Sequence, residues 1–489
     1  MQHTGVMARQ RQLRSFVIAW LGVTLLMGAL TFAGIYYATG VVGAEEDPGV
    51  AAVPNAEVDR VVPVDAAFDP AAIETTPAPR AAAPAANQAP ASQGGSSALA
   101  QDATPVPTIT PAGGGDVPAV APETTAPVVR PVDDTSFQVA IQVQSNIDPE
   151  VYRLWMGEVR DKLKLNWIKQ QVRWEDLEPE PGQYNWAELD VSLALAKEYG
   201  INVLLSVVTA PDWAREPGNQ RLEEVGPPAD PNTFANFLTV LLYRYPSQVH
   251  AIEVWNEMNI DREWASIYGL NAQKYVELLR TANLAIKAVD PGIIVISGAL
   301  SPTGWNDGVA AYDDFVYFDM LVQAGLLDWA DCVGAHHNGY NIGPNVPWNS
   351  VPNDPTAQFR GPFDNPHHSW SFYSTLNGYA QRIQQAGSTK KLCITEFGWP
   401  ATEDLQGFPV GFEFANDNTL AEQAAYIDEA ISLMNSWGFV WIASVWNLNY
   451  GPQAGWDASN DNVPYSLLRP EWKPAPAYDV IGAYNFRGQ

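Results

Sequence analysis

Two short segments of the chain end an apolar run with a carboxylate. AIEVWNEMNI, at 251–260, carries Asn256 and Glu257 after its β-branched residues, and ITEF, at 394–397, carries Glu396. If both glutamates face one site, their pKa values separate, because two nearby negative charges disfavour each other. Cleavage of a glycosidic bond requires a protonated carboxyl that donates to the leaving oxygen and an ionised one that attacks or stabilises the sugar carbon. The pair therefore predicts this chemistry, provided that the fold brings both residues together.

The elements that must position these residues alternate between strand and helix patterns. Short apolar runs begin near residues 137, 166, 201, 250, 293, 331, 391 and 439. Eight strands alternating with helices indicate a parallel α/β fold, and eight is the number that closes a (β/α)8 barrel. The alternative is an open doubly wound sheet, but the glycine-rich phosphate loop expected after an early strand of such a sheet is absent from the sequence. We therefore predict a (β/α)8 TIM barrel over 136–489.

Active-site residues of such a barrel lie at the carboxyl ends of its strands. Glu257 is expected to end strand 4 and Glu396 strand 7, which places them nearly across the barrel mouth. The other candidates at strand ends are Arg173 on strand 2, Asn256 on strand 4, His336 and His337 on strand 6, and Trp446 on strand 8.

Four motifs carry a family resemblance. VRWEDLEPEPGQYNW (172–186), VWNEMN (254–259), ITEFGWP (394–400) and VWNL (445–448), in this order, resemble those of the clan A glycoside hydrolases, with features of families 5 and 39. The resemblance covers about 137–485, nearly the whole predicted barrel. It implies hydrolysis of a β-linked (or equivalently equatorial) glycoside in an oligo- or polysaccharide, with retention of configuration and without a cofactor.

The same resemblance assigns roles to individual residues. It implies that Glu257 is the acid/base and Glu396 the nucleophile, with the two carboxyl groups about 5–5.5 Å apart, as in retaining enzymes. It further implies that Asn256 holds the sugar 2-hydroxyl, that His336 lines the site, and that Trp446 forms the floor of the sugar-binding subsite.

Two features depart from the family pattern. Met258 follows the acid/base motif where relatives usually have proline. Strand 6 reads HHNGY, whereas relatives tend to show His-x-Tyr with the tyrosine hydroxyl near the nucleophile. Either His337 takes the place of that tyrosine or Tyr340 reaches back from the following loop.

Two questions stay open at this point: the role of Arg173, and whether the protein is an enzyme. The resemblance implies that Arg173 supports the nucleophile, but Arg173 could instead form an ordinary salt bridge with Glu175 or Asp176. At the level of function, the alternative is a non-catalytic surface protein that kept a hydrolase barrel for carbohydrate binding or assembly. The presence of both glutamates, the asparagine and the arginine favours an enzyme.

The adjacent histidines and the two cysteines could bind a metal or form a disulfide, but we expect neither. Adjacent His336 and His337 lack a third ligand at zinc-like spacing, so we expect no metal site. Cys332 and Cys393 fall near the starts of strands 6 and 7, where a disulfide between parallel neighbours has poor geometry, so both are predicted to be buried thiols.

Several tryptophans fall in predicted loops, where indole rings stack on the apolar faces of sugars. Packing of loops onto the barrel rim is expected to account for about half of them. They are Trp213, Trp264, Trp305, Trp348, Trp370, Trp399 and Trp456.

The amino-terminal region predicts a membrane anchor. Residues 16–44 are uncharged, follow several arginines and precede acidic residues, and a span of about 20 apolar residues crosses a bilayer. We predict a cytoplasmic segment over 1–15 and an uncleaved transmembrane signal anchor over 16–42, with the remainder outside the cell membrane. The alternative is a cleaved signal peptide, which small residues at Gly43 and Ala44 would permit.

Between the anchor and the barrel lies a segment of low complexity. Fifteen of the 91 residues over 45–135 are proline, and Phe68 is the only aromatic residue, so the segment cannot bury enough apolar surface to fold. We predict a disordered Pro/Ala-rich linker. The formal net charge of the chain, −28, would repel nucleic acid and anionic lipid, so a neutral saccharide and the anchoring membrane are the expected partners.

Overall fold

The computed structural model describes residues 135–216 and 225–486, which form a barrel of eight parallel strands. The strands are β1 Gln138–Gln142, β2 Trp167–Arg173, β3 Asn202–Val208, β4 Ala251–Val254, β5 Ile294–Ser297, β6 Val333–Asn338, β7 Leu392–Gly398 and β8 Val440–Val445. A short antiparallel ribbon pairs β9 Leu468–Arg469 with β10 Lys473–Pro474.

One helix of nine or more residues follows each barrel strand within the described chain. These helices are α1 Pro149–Gly157, α2 Ala187–Glu198, α3 Pro231–Arg244, α4 Ala272–Val289, α5 Asp314–Gln323, α6 Phe372–Gln385, α7 Leu420–Trp437 and α8 Pro476–Tyr484. Single-turn helices occupy Trp174–Leu177, Leu326–Trp329, Gly361–Asp364, Glu413–Asn416 and Tyr450–Gln453.

The barrel closes between β5 and β6. The strands are hydrogen-bonded in the order β5-β4-β3-β2-β1-β8-β7-β6. A parallel bridge joins Ile296 to Cys332, and the Ser297 amide donates to the Cys332 carbonyl at 3.2 Å. The prediction of a (β/α)8 TIM barrel is therefore confirmed.

Capping side chains define where several of the helices begin. Asp230, Asn271 and Ser371 accept backbone N–H groups at the starts of α3, α4 and α6, and Thr419 forms a capping box with Glu422 at α7. Each such cap stabilises its helix by about 1 kcal/mol. The caps fix where each connecting loop ends, and therefore how the loops at the barrel mouth are placed.

The two cysteines are joined, which corrects the prediction of buried thiols. Cys332 and Cys393 form a disulfide with a Cα–Cα distance of 5.7 Å. Gly334, not Cys332, is the residue directly opposite Cys393 in the β6–β7 register. Cys332 precedes β6 and approaches Cys393 diagonally, at a separation that suits a disulfide. The prediction was wrong because it assumed directly opposed strand positions.

The predicted amino-terminal elements lie outside the described residues. These are the cytoplasmic segment over 1–15, the anchor over 16–42 and all but the last residue of the linker over 45–135. Among the described residues, none of the helices has the length and apolar character needed to cross a bilayer.

Candidate active site

Glu257 and Glu396 converge on one imidazole. Glu396 lies within β7, and Glu257 lies three residues after β4. The Nδ1 atom of His336, on β6, is 3.1 Å from Glu257 Oε1 and 3.8 Å from Glu396 Oε2. All three side chains are largely buried. The structure thus brings together the two carboxylates that the sequence placed on strands across the barrel from each other.

The backbone after β4 turns sharply to present Glu257. Trp255 and Glu257 have φ values of 73° and 40°, in the left-handed region that side chains rarely adopt. The Glu257 amide donates to the Ala299 carbonyl at 2.8 Å, and this bond helps to hold the turn. Met258 is buried against Gly298, where a Cβ would lie 2.5 Å from the Met258 Cε atom. Met258 therefore packs into the core where relatives usually have proline.

A buried lysine neutralises the second carboxylate. Lys169 Nζ, on β2, lies 3.0 Å from Glu396 Oε1 and 3.5 Å from Glu253 Oε2, and the Lys169 and Glu253 side chains are 0% exposed. Thr395 Oγ1 donates to Glu253 Oε1 at 2.6 Å. Burial lowers the pKa of Lys169, but the charges of Glu396 and Glu253 outweigh it and raise the pKa above its ordinary value. Lys169 therefore stays charged beside Glu396.

Arg173 does not have the role that the family resemblance implied. Its Nε atom donates to Glu175 Oε1 at 2.9 Å, and its side chain is 44% exposed. Arg173 lies four residues beyond Lys169, a rise of about 13 Å along a strand, so it stands above the level of Glu396. The expectation that Arg173 supports the nucleophile is wrong, and the alternative of a local salt bridge describes its position.

Neither of the two proposed strand-6 partners of Glu396 occupies that position. His337 Nε2 lies 3.1 Å from the Ser369 carbonyl, and Tyr340 packs edge-on against Trp370, with centroids 4.7 Å apart. Asn338 instead donates from Nδ2 to Glu396 Oε2 at 3.3 Å. Side chains alternate across a strand, so His336 and Asn338 share the face that His337 turns away from.

Trp446 lies beside Lys169, and Asn256 directly precedes Glu257 in the chain. The Trp446 ring centroid is 6.0 Å from Lys169 Nζ and 5.2 Å from the Tyr450 ring centroid. The Trp446–Asn447 peptide bond is cis. Asn256 is buried, and its Oδ1 has no hydrogen-bond partner among the described residues. A buried acceptor of this kind is available to a ligand hydroxyl.

The environment of Glu257 places a proton on His336. Burial by itself raises the pKa of Glu257, but the hydrogen bond and charge of His336 outweigh it and bring the pKa to about 2. Burial lowers the pKa of His336, but the charges of Glu396 and Glu257 outweigh it and hold the pKa above its ordinary value of 6.5. In this geometry Glu257 and His336 form an ion pair.

A further carboxyl group, that of Glu263, lies close enough to Glu257 to be affected by its charge. Burial, together with the negative charge of Glu257, raises the pKa of Glu263 to about 7. Arg262 Nη2 lies 3.5 Å from Glu257 Oε2 and adds a positive charge on the solvent side. Glu263 therefore titrates near neutral pH beside the catalytic candidates.

Sequence reasoning missed Lys169, Glu253 and Asn338. A signal for the first two was present, because each is a charged residue inside an apolar run predicted to be covered on both faces. Such a residue is almost never buried without a partner. Asn338 had no comparable signal, since asparagine at a strand end is common in loops.

The predicted loop tryptophans divide by exposure. Trp264, Trp370 and Trp399 are buried, and Trp213 and Trp456 are partly buried. Trp305, after β5, and Trp348, after β6, are exposed. Both exposed rings stand on loops at the carboxyl-terminal face of the barrel.

Comparisons with known proteins bear on this barrel. A family model described as "Beta-galactosidase", that of glycoside hydrolase family 42, matches residues 156–223. Among solved structures, a family 39 glycoside hydrolase from Bacteroides cellulosilyticus WH2 matches with a TM-score of 0.51 and 18% identity, over 71% of this chain and 62% of that chain. The chain has the fold of the clan A glycoside hydrolases. The resemblance read from the four motifs is thereby confirmed.

Two further solved structures match the barrel with lower TM-scores. A β-xylosidase from Caulobacter crescentus CB15 matches with a TM-score of 0.45 and 16% identity, over 72% of this chain and 68% of that chain. Xylanase 10B from Thermotoga maritima matches with a TM-score of 0.46 and 16% identity, over 73% and 97%. This chain spans less than two thirds of the family 39 structure, and no curated protein matches it in sequence.

Replacement of Lys169 tests the buried ion pairs inside the barrel. We expect Lys169→Met to lower the free energy of unfolding by about 3–5 kcal/mol, because it leaves two carboxylates buried without their cation. Arg173→Met is the matched control, and we expect it to change stability by less than about 0.5 kcal/mol. Urea unfolding measures both. Equal losses in the two variants would contradict the assignment of Lys169 as the cation of the site.

Proposed function

We propose that this protein is a retaining glycoside hydrolase that cleaves β-linked O-glycosidic bonds in an oligo- or polysaccharide by double displacement. The observation that carries the proposal is the convergence of Glu257 and Glu396 on one nitrogen of His336. Of these two glutamates, Glu396 is the one that Lys169 contacts. Two carboxyls in unlike environments are what an acid and a nucleophile require.

Glu396 is the nucleophile in this proposal. Lys169 donates a hydrogen bond to one of its oxygens, and the Asn338 amide donates to the other. In the first step Glu396 forms a bond to the anomeric carbon as the bond to the leaving oxygen breaks, and Glu257 gives that oxygen its proton. In the second step water attacks the same carbon, Glu257 takes the proton of the water, and Glu396 leaves as a carboxylate.

The acid acquires its proton from His336. Moving one proton along the 3.1 Å contact converts the ion pair into a neutral imidazole and a protonated Glu257, with no change in net charge. A saccharide that displaces water from the site favours the neutral pair, because ions lose more than neutral groups on desolvation. Substrate binding thus produces the general acid that the free site lacks.

The spacing of the carboxylates favours retention. Inverting enzymes keep the two groups about 6.5–9.5 Å apart to admit a water molecule, and retaining enzymes about 5–5.5 Å. Here both groups lie within 4 Å of the same imidazole nitrogen. The two oxygens that face this nitrogen are therefore at most about 7 Å apart, which supports retention.

The groups around the carboxylates suit a saccharide chain. Asn256 offers a buried acceptor for the sugar 2-hydroxyl, and Trp446 offers an aromatic face beside the nucleophile. Trp305 and Trp348 extend aromatic surface outward from the mouth. Several such platforms suit an oligosaccharide better than a single sugar.

We further propose that the barrel works outside the cell membrane, tethered by the anchor over 16–42 and spaced from the bilayer by the linker over 45–135. The composition of these segments motivates the proposal. The Cys332–Cys393 disulfide supports it, because such bonds persist in oxidising compartments and are rare in the cytosol.

The location is tested on cells that produce the full chain. We expect the protein to stay in the membrane pellet after an alkaline carbonate wash, and both cysteines to resist alkylation until a reductant is added. Release by carbonate would contradict the anchor. Alkylation of Cys332 and Cys393 in unreduced protein would contradict the extracytoplasmic location.

The nucleophile is tested by turnover of aryl glycosides by the full chain in a mild detergent. We expect Glu396→Ala to abolish turnover and added azide to restore it, because the small anion occupies the space of the lost carboxylate. Glu413→Gln, on a loop helix, is the matched control and should keep wild-type activity. Undiminished turnover by Glu396→Ala would contradict the assignment of Glu396 as the nucleophile. Glycan binding without hydrolysis by the wild-type chain would favour a non-catalytic carbohydrate-binding protein.

The pH profile of kcat/KM tests the proton on His336. Because the pKa of His336 is raised above 6.5, the pair holds its proton below that pKa and loses it as the pH rises through it. Activity should therefore fall on the alkaline side. In His336→Gln the limb should move to lower pH, since Glu257 then titrates without the imidazole. Glu263→Gln controls for the other group that titrates near pH 7, and a limb that follows this variant would contradict the role of His336.

A further inference from the structure

A second cluster of ionisable side chains lies away from the two catalytic candidates. Asp313 caps α5 at the end of the loop after β5, and His367 and His368 stand in the loop after β6, just before α6. Asp313 Oδ2 is 3.2 Å from His367 Nε2. One ligand atom from each of the three residues lies within 4.8 Å of the others.

The chemistry of this cluster matches a zinc site. Zn²⁺ binds imidazole nitrogen and carboxylate oxygen at about 2.0–2.2 Å in a tetrahedron, so its ligand atoms stand about 3.3 Å apart. The Asp313–His367 contact already has this length. The third ligand atom needs to approach by at most about 1.5 Å, which a side-chain rotation can supply. Calcium and magnesium prefer sites built from oxygen alone.

The surroundings of His368 resemble the outer shell of a metal site. Its Nε2 atom lies 3.0 Å from Asp314 Oδ1, and the Asp314 carboxylate is buried and accepts the Tyr379 hydroxyl at 2.6 Å. Histidine ligands of metals usually donate their second ring N–H to such a carboxylate, which fixes the tautomer. With the proton on Nε2, the lone pair of His368 is on Nδ1. Parallel stacking on Phe315, at 3.6 Å between centroids, fixes the ring plane.

An ion and a water molecule have access to the cluster. The side chain of His367 is 32% exposed, that of Asp313 is 13% exposed, and that of His368 is 11% exposed. This partial exposure gives an entry path and leaves room for a solvent ligand in the fourth position. The Nδ1 atom of His367 accepts the backbone N–H of Ser369 at 3.3 Å and lies 2.9 Å from Ser369 Oγ. Binding of metal at Nε2 therefore requires the ring proton to move to Nδ1, where Ser369 Oγ can accept it.

We propose that Asp313, His367 and His368 bind one Zn²⁺ ion, with water as the fourth ligand. The ion joins the loop after β5 to the loop after β6. The site is connected to β6, the strand that carries His336. Ser369 follows His368 in the chain, and its carbonyl contacts His337 on that strand. This site departs from the expectation, drawn from the sequence, that the chain holds no metal.

Cobalt titration of the full chain tests the site. The protein, in mild detergent and freed of metal by a chelator, is titrated with Co²⁺, whose visible absorption reports tetrahedral nitrogen and oxygen ligands. We expect one equivalent to bind, Zn²⁺ to displace it, and Zn²⁺ to raise the melting temperature. Loss of an outer partner of a metal ligand costs about 10–100-fold in affinity, so His367→Gln should weaken binding by about 100-fold or more.

Two control variants distinguish binding at this cluster from binding elsewhere on the chain. Asp364→Asn removes an exposed carboxylate from the same loop and should bind cobalt as the wild type does. Glu257→Gln alters the other cluster of histidine and carboxylates and should also leave binding unchanged. The proposal is overturned if the wild type binds no cobalt, if His367→Gln binds it equally well, or if Glu257→Gln abolishes binding. In the first case the Asp313–His367 contact joins the two loops without a metal.

Discussion

The ammonium group of Lys169 lies inside the barrel between the carboxylates of Glu253 and Glu396, and the rest of the site depends on this contact. A buried charge is tolerated only when its partners are close and are themselves hydrogen-bonded. Lys169 comes from β2, Glu253 from β4 and Glu396 from β7, so one electrostatic requirement ties three separate strands together. The same contact holds the carboxyl group of Glu396 at the level of the barrel mouth, where a substrate can reach it.

The two catalytic candidates differ in the cation that each one faces. Glu396 faces a lysine that stays protonated at neutral pH, and Glu257 faces a histidine that can give up its proton. This asymmetry distinguishes a carboxyl group whose cationic partner keeps its proton from one whose partner can supply a proton. It arises from strand positions: His336 stands on β6 within reach of both glutamates, and Lys169 contacts Glu396 and Glu253 from β2.

The sequence predicted the barrel and the two glutamates because both depend on local patterns: apolar runs repeat with the period of a βα unit, and Glu257 and Glu396 interrupt such runs at their ends. It misplaced the support of Glu396, because Lys169 and Arg173 share one face of β2 and only the stagger of the strands decides which of them is level with the nucleophile. The same limit applied to Asn338 and to the Cys332–Cys393 disulfide. Partners across strands depend on register, which the periodicity of a single sequence does not contain.

A trapping experiment tests most directly whether Glu396 forms a covalent bond to the sugar. A fluorine at C2 of an aryl glycoside slows both steps by destabilising the oxocarbenium-like transition state, and a good leaving group lets the first step proceed, so the intermediate accumulates. Mass spectrometry of the wild-type chain, digested after exposure to such a glycoside that it hydrolyses in unfluorinated form, should find one sugar per chain on the peptide containing Glu396. A sugar on a different peptide, or no adduct, would contradict the claim.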